Sequence, residues 1–247
     1  MAKHLIRKLE QFVRLSSADK AALERAASLT VRQLAPKEDL VREGDKPRQV
    51  NLILEGWAYR YKTLEDGRRS VAAFMVPGDL CDLRMFILKQ MDHSVGALTP
   101  VRVAQIPGDT ILDLTEGSPR LSRALWWNSL VEEAIAREWI TNVGQRDATE
   151  RLAHLFCELF IRLRAVGLTN GDHCELPMTQ EQLGDATGLS AVHVNRTLQA
   201  LREQRLIILK GKTLTIPDLE ALQRAALFNA NYLHLDRAGQ SLDANEP

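Results

Sequence analysis

The sequence predicts an α+β chain: a domain of short strands, one long helix, and a small helical domain that ends in a two-stranded wing. Three observations carry this prediction. Between positions 31 and 107, short runs (50–54, 57–61 and 71–75) are separated by turns at Gly44, Gly56, Gly67 and Gly78. Short strands at regular spacing with turn signals mark an all-β sandwich or barrel. Between 117 and 143 apolar residues recur at helical spacing. From 178 to 208 two short helical patterns flank Gly188, and a strand–turn–strand pattern follows.

A length of 247 residues fits one or two domains, and 45% hydrophobic residues supply a substantial core. Lys and Arg number 32, as do Asp and Glu. This balance argues against a partner held by overall phosphate neutralisation and leaves room for a local basic face. Cys81, Cys157 and Cys174 are odd in number and scattered, which fits a reducing cytoplasm rather than a disulfide framework. Structural zinc spacing is absent. The start, MAKHLIRKLEQFVRL, lacks the apolar core of a signal peptide. No stretch reaches the ~18 apolar residues of a membrane helix, so no membrane partner is expected.

In chain order, residues 3–29 read as two or three short helices. Leu5, Leu9 and Phe12 share a face, and Ser17 with Asp19 opens the next helix, which carries Ala22, Leu23 and Ala26. Ser118 and Pro119 start the long helix. Two apolar rows run along it: Leu121, Leu125, Asn128, Glu132, Ile135 and Trp139, and beside them Ala124, Trp127, Val131 and Ala134. One flank is free to cover the β-domain and the other to meet a partner helix, or both pack within one chain. Gln145, Arg146 and Asp147 form the expected hinge. A helix over 148–166 follows, with Leu152, Leu155, Phe156, Leu159 and Leu163 on one side, then a polar loop over 167–173. After the wing, Pro217 and Asp218 open a last helix reaching about Phe228. The tail ends in polar residues expected to be disordered, with Tyr232, Leu233 and Leu235 as docking candidates.

The stretch 178–208 is the most specific. Thr179 caps a helix and Gln182, three residues on, completes a capping box. Gly188 permits a left-handed turn, Ser190 caps a second helix, and Val194, Leu198 and Leu201 share its buried face. Two short helices joined by a glycine-containing turn are a helix-turn-helix, whose second helix suits the DNA major groove. Val192 and Arg196 are four apart on one face, with Asn195 and Gln199 beside them. Arg suits guanine and Asn suits adenine through paired hydrogen bonds. Thr179, Gln180, Ser190, His193, Lys210 and Lys212 are suited to phosphates. A surface ion pair for Arg196 and a passive, solvent-facing His193 are the plainer alternatives.

Thr179, Gly184, Gly188, Ser190, Arg196, Leu201, Leu206, Ile207 and the wing KGKTLTI resemble the winged helix-turn-helix of the CRP/FNR family of bacterial transcription regulators. The glycine spacing, with Gly56 between strands and Gly67 in a hairpin, resembles that family's cyclic-nucleotide-binding β-roll. The resemblance implies a β-roll sensor domain over 1–117, a dimerisation helix and hinge over 118–145, a winged helix-turn-helix over 146–230 and a tail over 231–247. It also implies a cytoplasmic homodimer that binds an inverted repeat in double-stranded DNA and contacts RNA polymerase.

The sequence departs from the family in two places. Val192 stands where many members have Glu, and Ala191 where CRP has Arg, so the operator is expected to differ from theirs. In the cyclic-AMP binders a Gly-Glu pair holds ribose and an Arg-Ser pair holds phosphate. Here the pairs are Gly78–Asp79 and His93–Ser94, without the guanidinium that binds phosphate bidentately. Cyclic AMP is therefore not expected. No cysteine precedes Cys81, which disfavours the family's iron–sulfur cluster. Asp79, Cys81, His93 and Ser94 are the candidate effector-pocket residues. Cys81 and His93 leave haem open, and Arg68, Arg69 and Arg84 are either anion ligands or solvated surface.

An enzyme is not indicated, since no nucleophile elbow, phosphate loop or metal-ligand cluster appears. Two further readings stay open: a ligand-binding signalling module whose C-terminal domain contacts protein rather than DNA, and a β-domain enzyme of unrecognised chemistry.

Overall fold

The computed structural model describes residues 1–83 and 87–237. The chain divides into two compact units, one built chiefly from Met1–Lys62 and Phe74–Glu133, the other from Thr63–Ala73 and Ala134–Leu233.

The first unit opens with α1 (Lys3–Leu9) and α2 (Ser17–Ala26). Leu5, Leu9 and Phe12 are buried, as their spacing predicts. The cap of α2 is Ser16, one residue earlier than expected. Its hydroxyl accepts from the Asp19 N–H at 3.1 Å, and Asp19 Oδ2 accepts from the Ser16 N–H at 3.0 Å. Both serines fit the sequence pattern, but only Ser16 lies three residues before the carboxylate that completes a capping box.

Among the described residues eight strands follow in chain order, with the end of β4 and residues Arg69–Ala73 of β5 belonging to the stretch that clusters with the second unit: β1 (Val31–Leu34), β2 (Asp39–Val41), β3 (Gln49–Glu55), β4 (Ala58–Thr63), β5 (Arg69–Met75), β6 (Leu80–Cys81), β7 (Ser94–Ala97) and β8 (Val101–Pro107). They form two four-stranded sheets, ordered β1-β8-β3-β6 and β2-β7-β4-β5. Strands β3 and β8 run antiparallel at the centre, with Val50 opposite Ile106 and Leu52 opposite Ala104. β3 is buried on both faces from Val50 to Leu54, so its apolar residues do not alternate with exposed polar ones, and the one polar residue among them, Asn51, is buried too. Leu34, Ile53, Met75, Val95 and Val103 from both sheets meet in one core cluster.

Helix α3 (Gly108–Gly117) leads to α4 (Pro119–Gln145). Ser118 joins them: its hydroxyl accepts from the Leu121 N–H at 3.2 Å and donates to Asp19 at 2.8 Å. Phe12 stacks on Trp127 with ring centroids 5.5 Å apart. Both apolar rows foreseen for this helix are buried within the chain, apart from partly exposed Glu132. The exposed apolar residues form a third row: Trp126 (57% exposed), Leu130 (58%), Ile140 (74%) and Val143. A four–three spacing finds apolar stripes but does not say which stripe the chain itself covers.

The second unit contains the end of α4, α5 (Ala148–Val166), β9 (Thr169–Asn170), β10 (His173–Glu175), α6 (Gln180–Thr187), α7 (Ala191–Glu203), β11 (Ile208–Lys210), β12 (Thr213–Thr215) and α8 (Leu219–Ala225). Asp147 caps α5 through a capping box with Glu150, and Gly167 ends it in left-handed backbone at φ 75°. The expected apolar side of α5 is buried throughout. The segment foreseen as a polar loop is instead a short hairpin: β9 pairs with β10, and β10 pairs with β12, to give a sheet ordered β11-β12-β10-β9. Its polar side chains hid a pairing that backbone hydrogen bonds supply. The last helix stops at Ala225, short of Phe228, because Leu227 adopts φ 49°. A 3-10 turn (Ala230–Leu233) then docks Tyr232 and Leu233, both buried, while Leu235 is half-buried. The end of the tail and Arg84 lie outside the described residues.

Gly56 is required by its surroundings. It has φ 80°, and an added Cβ would lie 2.1 Å from the Pro100 carbonyl oxygen. Left-handed backbone alone costs a non-glycine residue about 1–2 kcal/mol, and the clash adds to it. Gly56→Ala should lower unfolding free energy by ~2 kcal/mol or more in urea titration. A loss below about 0.5 kcal/mol would show that the turn relaxes freely.

Candidate nucleic-acid interface

The helix-turn-helix forms as its capping residues dictate. The Thr179 hydroxyl accepts from the Gln182 N–H at 3.2 Å, and Gln182 Oε1 accepts from the Thr179 N–H at 2.9 Å. Gly188 ends α6 with φ 69°. The Ser190 hydroxyl accepts from the His193 N–H at 3.2 Å and starts α7. Gly184 is needed for close approach, since a Cβ there would lie 2.4 Å from the Leu189 carbonyl oxygen. Val194, Thr197, Leu198 and Leu201 bury one face of α7.

The opposite face is open. Val192 is 82% exposed, and Arg196 and Gln199 are exposed on the same side; His193 and Asn195 are half-buried at its edges. Gln180, at the start of α6, is exposed, as are Lys210 and Lys212 at the β11–β12 turn. The hydroxyls of Thr179 and Ser190 are engaged in capping but remain on exposed residues. Arg202 and Arg205 are also exposed near the end of α7. Sequence reading passed over them, although Arg202 lies three residues beyond Gln199 and seven beyond Asn195.

The candidate effector residues lie in the first unit, each with an internal partner. Asp79, 4% exposed, accepts from Lys8 Nζ at 2.7 Å and from the Val76 N–H at 2.8 Å. A Cβ on Gly78 would lie 2.8 Å from the His4 backbone, so α1 occupies the side where the family's ribose contact is expected. The Ser94 hydroxyl accepts from the Glu43 N–H at 3.0 Å. His93 is held at both ring nitrogens, Nε2 by Asp82 at 2.9 Å and Nδ1 by Asp92 at 2.7 Å. The Cys81 thiol is fully buried, 3.6 Å from the Met75 sulfur, and burial pushes its pKa well above the usual thiol value.

These residues fit neither cyclic AMP nor haem. Asp79, aligned with the family's ribose contact, is paired with Lys8, position 93 carries no arginine, and the His93 ring is hydrogen-bonded at both nitrogens while the Cys81 thiol is buried against Met75. Three further residues, missed in the sequence, complete the charge cluster. Arg60 of β4 donates to Asp82 at 2.7 Å. Lys8 comes from α1. Glu132 of α4 accepts from Asn128 at 2.9 Å, and burial raises its pKa against the opposing charges of Lys8 and Arg60. Arg60 alone carried a signal, a charge set between two tyrosines in a strand.

Burial opposes ionisation of both Asp82 and His93, but their mutual hydrogen bond and the charge on Arg60 lower the Asp82 pKa, while Asp82 and Asp92 raise that of His93.

The fold and this exposed helix define a class: regulators with a β-roll and a winged helix-turn-helix that binds DNA. Residues 150–225 match the Crp-like helix-turn-helix domain, and residues 31–118 match the cyclic nucleotide-binding domain. The transcriptional activatory protein AadR of Rhodopseudomonas palustris is 30% identical over 196 residues, covering 79% of this chain and 80% of that protein. The nitrogen fixation regulation protein FixK of Azorhizobium caulinodans is 28% identical, covering 81% and 80%. The solved structure of FixK2 from Bradyrhizobium japonicum shares the fold at a TM-score of 0.73 and 24% identity, covering 81% of this chain and 98% of that one. The chain belongs to the CRP/FNR family of DNA-binding transcription regulators.

The His93–Asp82 pair has a testable pH signature. His93, raised above 6.5, contributes stability that is present below about pH 6.5 and lost as pH rises through its folded pKa. Asp82, lowered below 3.8, contributes stability present above about pH 4 and lost on further acidification. Between about pH 6 and about pH 9 the urea midpoint of the full chain should fall more steeply for wild type than for His93→Gln. Parallel curves would contradict the pairing.

Proposed function

We propose that this regulator acts as a cytoplasmic homodimer that reads an inverted repeat through α7, anchors on phosphates through the α6 start and the wing, and works with RNA polymerase. The observation that carries this reading is the open face of α7, where Val192, Arg196 and Gln199 line up beside Asn195 above a capped first turn. In helix-turn-helix proteins that part of the second helix reaches base edges. Arg196 and Asn195 supply bidentate donors and acceptors, and Val192 supplies an apolar contact such as a thymine methyl. Thr179, Gln180, Ser190, His193, Lys210 and Lys212 supply phosphate contacts. The relatives are regulators, and we assign this chain no catalytic step. The effector, if one acts, is not cyclic AMP, because Asp79 and His93 are already bound by protein charges. Calorimetry with cyclic AMP should show no micromolar binding; such binding coupled to tighter operator affinity would contradict this assignment.

The dimer reading rests on the exposed row Trp126, Leu130, Ile140 and Val143, which water covers in a lone chain. Two copies that pair these rows bury them as a helical seam. Wild type should sediment at about twice the 27.8 kDa chain mass, and Leu130→Asp should shift it toward the chain mass. A wild-type monomer at micromolar concentration, also with DNA, would refute the reading.

For base reading, selection on a randomised duplex library separates the roles. Loss of one bidentate contact costs on the order of 1–3 kcal/mol of discrimination. Arg196→Ala should therefore weaken cognate binding strongly and random-duplex binding much less. Lys212→Ala should weaken both and reduce the salt slope by about one unit or less. Val192→Glu should change the preferred base at one position per half-site. If Arg196→Ala and Lys212→Ala lose cognate and random affinity in the same proportion, α7 does not read bases.

A further inference from the structure

A reading helix needs a fixed orientation as well as suitable side chains, and no residue on the open face of α7 supplies it. The support comes from Arg151, in the first turn of α5. Its NH1 donates to the Thr187 carbonyl at the end of α6 (3.0 Å), and its Nε donates to the Arg146 carbonyl in the joint before α5 (2.9 Å). Its own carbonyl accepts from Asn142 Nδ2 of α4 at 3.3 Å. A Cβ on Gly188 would lie 3.8 Å from Arg151 NH1 and 3.7 Å from Val143 Cγ1, so the guanidinium lies directly beside the turn. Thr187 is 1% exposed, and its carbonyl is among the last four of α6, which the helix itself leaves without a donor. A cation at that end also complements the helix dipole.

We propose that Arg151 is a positioning residue for base recognition: it fixes the end of α6, and through the Gly188 turn the angle at which α7 is presented, without touching DNA. The proposal rests on α7 being the element that reads bases. A guanidinium is a planar fork whose donors point in fixed directions, so it sets the separation of the two carbonyls it joins. A lysine keeps the charge but, as a point charge on a flexible stem, sets no such geometry. The turn has little slack to reorient by itself, because Gly184 already lies against the Leu189 carbonyl. Base contacts depend on geometry, whereas phosphate contacts depend mainly on charge. Loss of Arg151 should therefore separate the two.

The test uses the full chain and the duplex recovered by selection with wild type. Arg151→Gln should lower the ratio of selected-duplex to random-duplex affinity about tenfold. Random-duplex affinity should stay within about twofold, with the salt slope unchanged. Arg151→Lys should recover part of the ratio. A wild-type ratio in both variants overturns the proposal. So does an equal loss on both duplexes with a shallower salt slope, which would mark Arg151 as a phosphate contact. If Arg151→Gln does not fold, the Arg151→Lys ratio decides: a partial loss supports positioning and a wild-type value overturns it. Arg196→Ala, measured alongside, keeps the two readings apart. Unchanged selectivity in Arg196→Ala overturns the reading of α7, whereas a loss there with none in the Arg151 variants overturns positioning alone.

Discussion

A carboxylate without exposed surface holds the DNA-binding unit together. Glu158 of α5 accepts from Trp139 Nε1 of α4 at 3.0 Å, from the Tyr232 hydroxyl of the tail at 3.1 Å and from Arg162 at 3.1 Å. Burial pushes its pKa up, and the charge of Arg162 with the Trp139 and Tyr232 hydrogen bonds offsets part of that. Removing one partner of a buried ion pair costs about 3–5 kcal/mol, because the other charge is left uncompensated. The same region holds His154, buried between Phe228 and Tyr232 with ring centroids 4.9 and 5.9 Å away and its pKa lowered by burial to about 3. It stays a neutral aromatic surface at any ordinary pH. Arg146 completes the frame by bonding Glu138 and the Ala226 and Leu227 carbonyls after α8. The end of α4, α5 and the tail thus form the base against which α6 and α7 are set.

The first unit obeys the same rule with a different consequence. A charge taken out of water must find a partner, and here the partners come from the protein. Lys8 satisfies Asp79, and Arg60 with His93 satisfies Asp82. A ligand entering this cluster has to compete with side chains already in place. It shifts the protein only if the rearranged state binds it more tightly. These polar side chains thus serve the internal structure of the first unit.

Much of this was legible in the sequence, for local reasons. Thr179 with Gln182, Gly188 and Ser190 act on their immediate neighbours, so their roles follow from spacing of three or four residues. The bounds of α5 were readable because Asp147 and Gly167 sit at its two ends. What was not legible depends on long-range partners. The meeting of Lys8 with Asp79, or of Arg60 with Asp82, is set by the packing of separate elements. The third row on α4 could not be told from the other two, since all three satisfy the helical period. The β9–β10 pairing escaped because its hydrogen bonds are made by the backbone. Arg151 looked like any arginine in a helix; its carbonyl partners are 5 and 36 residues away.

In the proposed dimer, two copies of one chain present two copies of α7 to one duplex. Selection of binding sites from a randomised duplex library by the wild-type protein tests it most directly. The expected result is a two-fold symmetric site whose half-site centres lie one helical turn, ~34 Å, apart. Recovery of a single asymmetric site, or of no preferred sequence at all, would contradict it.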